Sequence, residues 1–403
     1  MDAALIDPSS PGCATSPRAT GAGAPDPSAP RVLVAGGGIG ALATALALGR
    51  RGHEVLVLDP RPALTESGAG VLLAPRDFHL LDRLGVGDAV RDRSLTLDAF
   101  RVRDGATGEL VTSVTLPGSR RGSAPPHATA HRLDVYEPLL DACWELDSVQ
   151  LATDSRVIGY TQRGGTVRAA LADGRTVTGH ALILADRARS GADRDADRAH
   201  GAPEGRLAVY HSVVPMDSVD DRWQDGAATC WVGRDWHLSH FPLPDHRYLS
   251  LTATRLRHTG APLRGARVGL DEVLDAFPGI GYAARNVFTL GRHWRARTLP
   301  VRQTAADAVH GRIAMVGDPA HEARRPETGS CLHRTLDDAV ALGGSWDVSG
   351  GGVLRWLADY DARRGERVRQ SHEGHGPGHP RGRWAEDRVL ADHFLFLSTG
   401  CAG

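Results

Sequence analysis

Apolar and polar residues follow two different periods along this chain, and the change of period divides it. From Arg31 the text RVLVAGGGIGALATALALGRRGHEVLVLD opens with a short β-branched apolar run, Val32 to Ala35, of the kind that forms a buried strand. Three glycines break that run. Residues 41–51 are then mostly Ala and Leu and favour helix, Gly52 stands where a helix C-cap belongs, and 54–59 is a second strand-like run closed by a carboxylate. An amphipathic helix is expected over about 75–84, a hairpin over 99–116 turning at Asp104 and Gly105, and a helix from His131 with Leu133, Leu139 and Leu140 inward. Residues 149–185 alternate around turns at Gly164, Gly165 and Asp173, Gly174, and end in an apolar run before Asp186. Between 207 and 253 the pattern becomes short strands rich in Tyr, Trp, His and Ser, which predicts an antiparallel sheet. The earlier pattern then returns: a buried strand from His310 breaks at Gly317 and Asp318, TLDDAVALG reads as helix, and 356–370 is an amphipathic, Arg-rich helix.

These elements predict an α/β fold in which a parallel-sheet domain, residues 31–200 and 300–370, is interrupted by an antiparallel-sheet insertion over 201–299. Residues 1–30, rich in Pro, Ala, Gly and Ser, read as a disordered leader, and 371–403 as a C-terminal tail.

Strand, glycine turn, helix, strand and terminal acid make a βαβ unit suited to a dinucleotide. Gly36 permits the tight turn, Gly38 lets backbone approach a pyrophosphate, and Ala41 is small enough for the helix to pack on the strands. The helix N-terminus offers N–H groups and partial positive charge to the phosphates. Asp59 follows the glycines at the distance of a ribose-binding carboxylate. Asp186, at the end of a mid-chain strand, is a second carboxylate at a sheet edge.

Composition narrows the partners. The 403 residues suit two domains, or one composite domain with an insertion, and 47 basic residues balance 48 acidic ones, so nothing favours nucleic acid or an anionic membrane. Every basic residue among those 47 is Arg. Five scattered cysteines form no CxxC pair, no apolar run reaches the roughly 18 residues of a membrane span, and no signal peptide opens the chain. A cytoplasmic protein acting on a small molecule is expected. His372, His375 and His379 lie among glycines and prolines that do not preset metal-ligand spacing, so no metal is expected.

Taken together, GGGIGA, Asp186 after a mid-chain strand and GDPAH after a late strand resemble the class A flavoprotein monooxygenases, the aromatic hydroxylases of the p-hydroxybenzoate and salicylate hydroxylase type. The resemblance implies a Rossmann-like FAD-binding domain and an inserted substrate domain, with NADH or NADPH as co-substrate and oxygen transferred to an electron-rich ring. It implies that Gly36, Gly38, Ala41 and Asp59 hold the ADP half of FAD, that Arg132 contacts FAD, that Gly317 and Asp318 reach the ribityl chain, and that Pro326 and Gly329 pack on the isoalloxazine. Three departures stand out. Arg187 follows Asp186 where the family has glycine, Arg324 and Arg325 replace small or apolar residues, and Ser330, Cys331 and His333 replace the family's Gln, Gly and Asn. They leave an alternative open: a redox-silent relative catalysing cyclisation, isomerisation or dehydration in secondary metabolism. Tyr210, His211 and His240, on the inserted sheet, are the candidate catalytic residues; a neutral His can deprotonate a phenol.

Overall fold

The computed structural model describes residues 30–64, 70–116, 125–185, 205–257, 263–301, 308–317, 330–346 and 352–373. Its centre is a 6-stranded sheet in the spatial order β19 (Val309–His310), β20 (Ile313–Met315), β12 (Ala181–Leu184), β1 (Val32–Ala35), β2 (Val55–Leu58), β8 (Val149–Ala152). Neighbours run parallel except in the β19–β20 hairpin. Its middle strands are nearly all apolar because both faces are covered. Helix α1 (Ile39–Gly49) is buried along its whole length, which explains a sequence of Ala and Leu with no polar face. It lies between α4 (Arg132–Trp144) and α7 (Ser330–Trp346), with α8 (Val353–Glu373) packed on α7. The other face is closed by the antiparallel strands β9 (Val157–Arg163), β10 (Thr166–Leu171) and β11 (Thr176–Gly179), whose Val167, Ala169 and Leu171 join the same core.

The second large sheet has 8 strands, in the order β17 (Arg264–Val268), β18 (Trp294–Val301), β13 (Gly205–Pro215), β16 (Tyr248–Arg257), β15 (Trp236–Pro242), β14 (Ala227–Val232), β5 (Ala99–Asp104), β6 (Leu110–Thr115). The hairpin expected over 99–116 forms, and the structure adds what its sequence did not show: β5 pairs parallel with β14, so the sheet takes two strands from outside 201–299. One face packs on α5 (Leu270–Ala276) and α6 (Tyr282–Leu290) through Trp231, Trp236, Phe277, Phe288 and Trp294. The opposite face meets a small sheet, β3 (Gly70–Leu73), β7 (Ala128–His131) and β4 (Leu95–Thr96), through Leu72, Leu97, Phe100, Cys230 and Phe241. Two long-range hydrogen bonds tie these sheets: Gly70 N–H donates to Ser250 Oγ at 3.1 Å, and Thr129 Oγ1 donates to the Pro242 carbonyl at 2.7 Å. Helices α2 (Pro75–Arg83) and α3 (Gly87–Arg91) follow β3.

Candidate functional site

The glycine loop has the geometry its sequence implied. Gly36 takes φ +123°, a conformation that side chains rarely adopt, and its N–H donates to the Leu58 carbonyl at 3.0 Å. Gly38 is the N-cap of α1 and has no side chain to cap with, so the first N–H groups of the helix face the loop without a side-chain acceptor. A Cβ on Gly37 would fall on the Asp59 carboxylate, and Ala41 is fully buried beneath the turn.

Asp59 ends β2 as expected, but its partner is one the sequence reading missed. The carboxylate is wholly buried, and Arg61 holds both oxygens: Nε stands at 2.9 and 3.1 Å, Nη2 at 2.7 Å, and the Arg61 N–H at 3.0 Å. Arg61 Nη2 also donates to the Gly37 carbonyl at 2.6 Å, and the guanidinium lies 6.0 Å from the centre of the Tyr136 ring on α4. The available signal was a cation two residues beyond the acid, beside a glycine turn.

On the far side of β1, Gly317 lies two residues beyond β20, with φ +81° and its N–H donating to Asp338 Oδ2 at 3.0 Å. A Cβ added there would lie 2.9 Å from Thr335 Oγ1, and one on Gly40 would lie 2.8 Å from Thr335 Cγ2. The first turns of α7 thus wedge between the α1 N-terminus and the end of β20, so two helix N-termini open on the carboxyl edge of the sheet. Asp186, Asp318, Pro326 and Gly329 lie outside the described residues, as do Arg187, Arg324 and Arg325. Cys331 is in the first turn of α7, and His333 Nδ1 lies 2.8 Å from Asp77 Oδ1.

The three candidates on the large sheet do not share a cavity. Successive residues on a strand point to opposite faces, and Tyr210 and His211 are successive. Tyr210 is paired with Ala253, which is paired with Leu238; its ring packs edge-on against Phe277 at 5.3 Å, on the helix-covered face. His240, paired with Thr229 and Leu251, shares that face and packs against Trp223 and Trp231 at 5.3 and 6.3 Å. His211 is paired with Thr252 on the other face, the one bearing Ser250, whose hydroxyl bonds Gly70. Of these candidate catalytic residues, Tyr210 and His240 thus lie on the helix-covered face, and His211 lies on the face that meets β3 and β7.

Electrostatics separate the two histidines further. Burial pushes His240 down to about 3, and neither ring nitrogen has a hydrogen-bond partner among the described residues. His211 is pushed down to about 4, first by burial and then by the charges of Arg297, Arg295 and Arg132. Arg132 is the first residue of α4, behind a His131 N-cap whose ring accepts the Leu133 N–H at 3.2 Å, and its charge reaches His211. Burial also raises Tyr210, which stays a neutral phenol. Among the described residues no group of three or more His, Cys, Asp or Glu side chains could hold a metal, and no helix is long and apolar enough to cross a membrane.

A glycine cradle beneath an uncapped helix, a buried acid ending the next strand and a late strand closing on a positive-φ glycine define a dinucleotide-binding flavoprotein, and the cradle at Gly37 and the open α1 terminus fit FAD. Residues 30–373 match the model of the FAD binding domain family, and the chain belongs to that family as a class A FAD-dependent aromatic hydroxylase. It is 35% identical over 320 residues to 3-hydroxybenzoate 6-hydroxylase of Polaromonas naphthalenivorans (strain CJ2), covering 77% of this chain and 78% of the relative. It is 32% identical over 316 residues to 3-hydroxybenzoate 6-hydroxylase 1 of Aquipseudomonas alcaligenes, covering 77% and 79%. In fold it is similar to a salicylate hydroxylase substrate complex, with a TM-score of 0.73, 22% identity and coverage of 93% and 97%. The protein is thus an FAD-dependent monooxygenase, and the redox-silent alternative draws no support from these relatives.

Proposed function

We propose that the protein is an NADH- or NADPH-using monooxygenase that hydroxylates a phenolic aromatic small molecule, with His211 taking the phenol proton. The observation that carries this reading is the place of His211: half-buried, on the sheet face that meets β3 and β7, with Arg297, Arg295 and Arg132 as charged neighbours that help hold it neutral. The same positive charges that make His211 a weak base stabilise a phenolate and lower the phenol's own pKa, which offsets that weakness for proton transfer to the neutral ring, and they draw in an anionic ring substituent. The ring becomes electron-rich as the proton leaves, which is the state that oxygen transfer requires. FAD, when bound, supplies the electron transfer and the oxygen activation. Gly36 and Gly38 would receive its pyrophosphate, with Ala41 letting α1 pack close beneath them, Asp59 its adenosine ribose, and Gly317 with the α7 N-terminus its other half. Arg132 would border both FAD and substrate. Hydroxybenzoates, the substrates named for the curated relatives, are the first compounds to try.

The test is NADH and NADPH oxidation by the FAD-loaded protein across a panel of mono- and dihydroxybenzoates, with products resolved chromatographically. Oxidation coupled to a hydroxylated product, lost in His211→Asn with FAD still bound, is the expected result. A product formed equally well by His211→Asn would remove His211 from the mechanism. No stimulated oxidation with any phenol would overturn the substrate class.

A further inference from the structure

The sheet face that bears His211 carries positive charge out to the edge of the sheet. Arg295 on β18 is paired with His211, Arg297 with Val209, and Arg267 on β17 with Arg295, so register puts the three arginines on one face. All three are exposed. Like charges directly opposite on neighbouring strands are destabilising, and Arg267 stands opposite Arg295. A cation on β17 is ordinary protection of an edge strand, but β18 lies between β17 and β13 and needs none. Among the described residues neither Arg267 nor Arg297 has an ion pair or a side-chain hydrogen bond, and Arg295 has one long bond, from Nη1 to the Gly265 carbonyl at 3.4 Å.

Distance separates the outer end of this row from the aromatic substrate. Neighbouring strands lie about 4.8 Å apart, so Arg267 stands two strands, roughly 10 Å, from His211, farther than a single substituted ring reaches. The row is also too rich in charge for one carboxylate, which a single guanidinium holds through two parallel bonds; a diphosphate or a phosphate ester takes several. On the reading above, the glycine cradle takes the pyrophosphate of FAD, which leaves the nicotinamide co-substrate as the other phosphoryl-bearing molecule in the reaction. The charge of Arg132, first residue of α4, reaches His211, and α4 packs on α1, which ties the inner end of the row to the helix layer of the cofactor sheet. We propose that Arg267, Arg295 and Arg297 dock the phosphoryl groups of NADH or NADPH, which enters over the β17 edge with its nicotinamide end toward His211. Arg267, beyond the reach of the aromatic ring, reports on this docking alone.

This rests on the nicotinamide-dependent hydroxylation proposed above, and the test separates the two. Native protein, Arg267→Gln, Arg297→Gln and the double variant are loaded with FAD and assayed for KM of NADH and NADPH at saturating phenol, KM of the phenol at saturating nicotinamide, FAD affinity and melting. Arg267→Gln is expected to raise the nicotinamide KM about tenfold, the low end for a hydrogen bond to a charged group, and to flatten the rise of that KM with added salt. Its KM for the phenol should match native. Melting should equal or exceed native, because one like-charge pair is gone, and the double variant should raise the nicotinamide KM further than either single one. A raised phenol KM with the nicotinamide KM unchanged would assign the row to the aromatic substrate and overturn the proposal, and no change in either KM overturns it as well. A fall in FAD affinity would also overturn it, making the row part of the cofactor site. Inorganic pyrophosphate supplies a measure that needs no variant to fold: on native protein it should compete with the nicotinamide and not with the phenol, and the reverse, or no inhibition, overturns the proposal. Native protein that oxidises neither nicotinamide overturns the proposed function and this docking site together, whereas oxidation with an unaltered KM in the variants overturns the docking site alone.

Discussion

On the proposed assignment of Asp59 to the adenosine ribose, Arg61 holds the place that ribose hydroxyls would take, and replacing it tests that assignment. The guanidinium supplies the donors that a ribose's hydroxyls would offer, so on that assignment FAD binding would open the Arg61–Asp59 pair. Removing one partner of a buried pair costs ~3–5 kcal/mol because the other charge is left uncompensated. The Asp59 carboxylate is fully buried and the Arg61 side chain is 19% exposed, which places the cost toward the lower end. In Arg61→Met the protein without FAD should therefore melt well below native. Ribose hydroxyls then restore hydrogen bonds to the carboxylate, and each bond to a charged group is worth ~1.5–3 kcal/mol. FAD should bind roughly tenfold tighter or more, at about 1.4 kcal/mol per tenfold. Asp59→Asn is the second arm and should weaken FAD. The assays are flavin-fluorescence titration and melting with and without FAD. Arg61→Met binding FAD tenfold more weakly would refute the reasoning and make Arg61 itself a cofactor ligand.

His211→Asn should lower kcat by ~10²–10⁴ while leaving FAD affinity near native, and the acid limb of the native pH–rate profile should lie near the His211 value of about 4 instead of 6.5. His240 stays neutral down to about 3 in the folded protein while an unfolded chain takes up its proton near 6.5, so this contribution to stability is complete above 6.5 and is lost as pH falls toward 3. Denaturant melts should show that slope, about 1.4 kcal/mol per pH unit at most, and His240→Leu should flatten it; an unchanged slope would mean that His240 is protonated when folded. Gly317→Ala combines positive φ with a Cβ 2.9 Å from Thr335 Oγ1, and should destabilise by ~1–2 kcal/mol or more; a melting point equal to native would show that the β20 end tolerates a side chain.

How much was legible in the sequence follows from the range of each interaction. The βαβ unit was legible because strand, positive-φ turn, helix and terminal acid are local, each written in neighbouring residues: β2 (Val55–Leu58) falls inside the expected 54–59, and α1 begins within two residues of where the Ala and Leu run placed it. The late strand ending at Gly317 and the helix after it were legible for the same reason. What the chain alone could not decide was which faces meet. Tyr210, His211 and His240 all sit in aromatic- and His-rich strands, and only the register with Thr252, Leu251 and the helices behind the sheet sends His211 to one side and the other two to the opposite side. A one-residue difference in register inverts every side chain, and composition carries no information about it. The capture of Asp59 by Arg61 is near in sequence but depends on Gly37 coming within reach, while Asp77 and His333 are 256 residues apart and meet only because α2 and α7 pack with their N-termini together. Local propensity and turn chemistry were therefore enough for the glycine cradle, whereas the polar contacts around it arise from packing between distant elements, where the folded chain alone sets the distances.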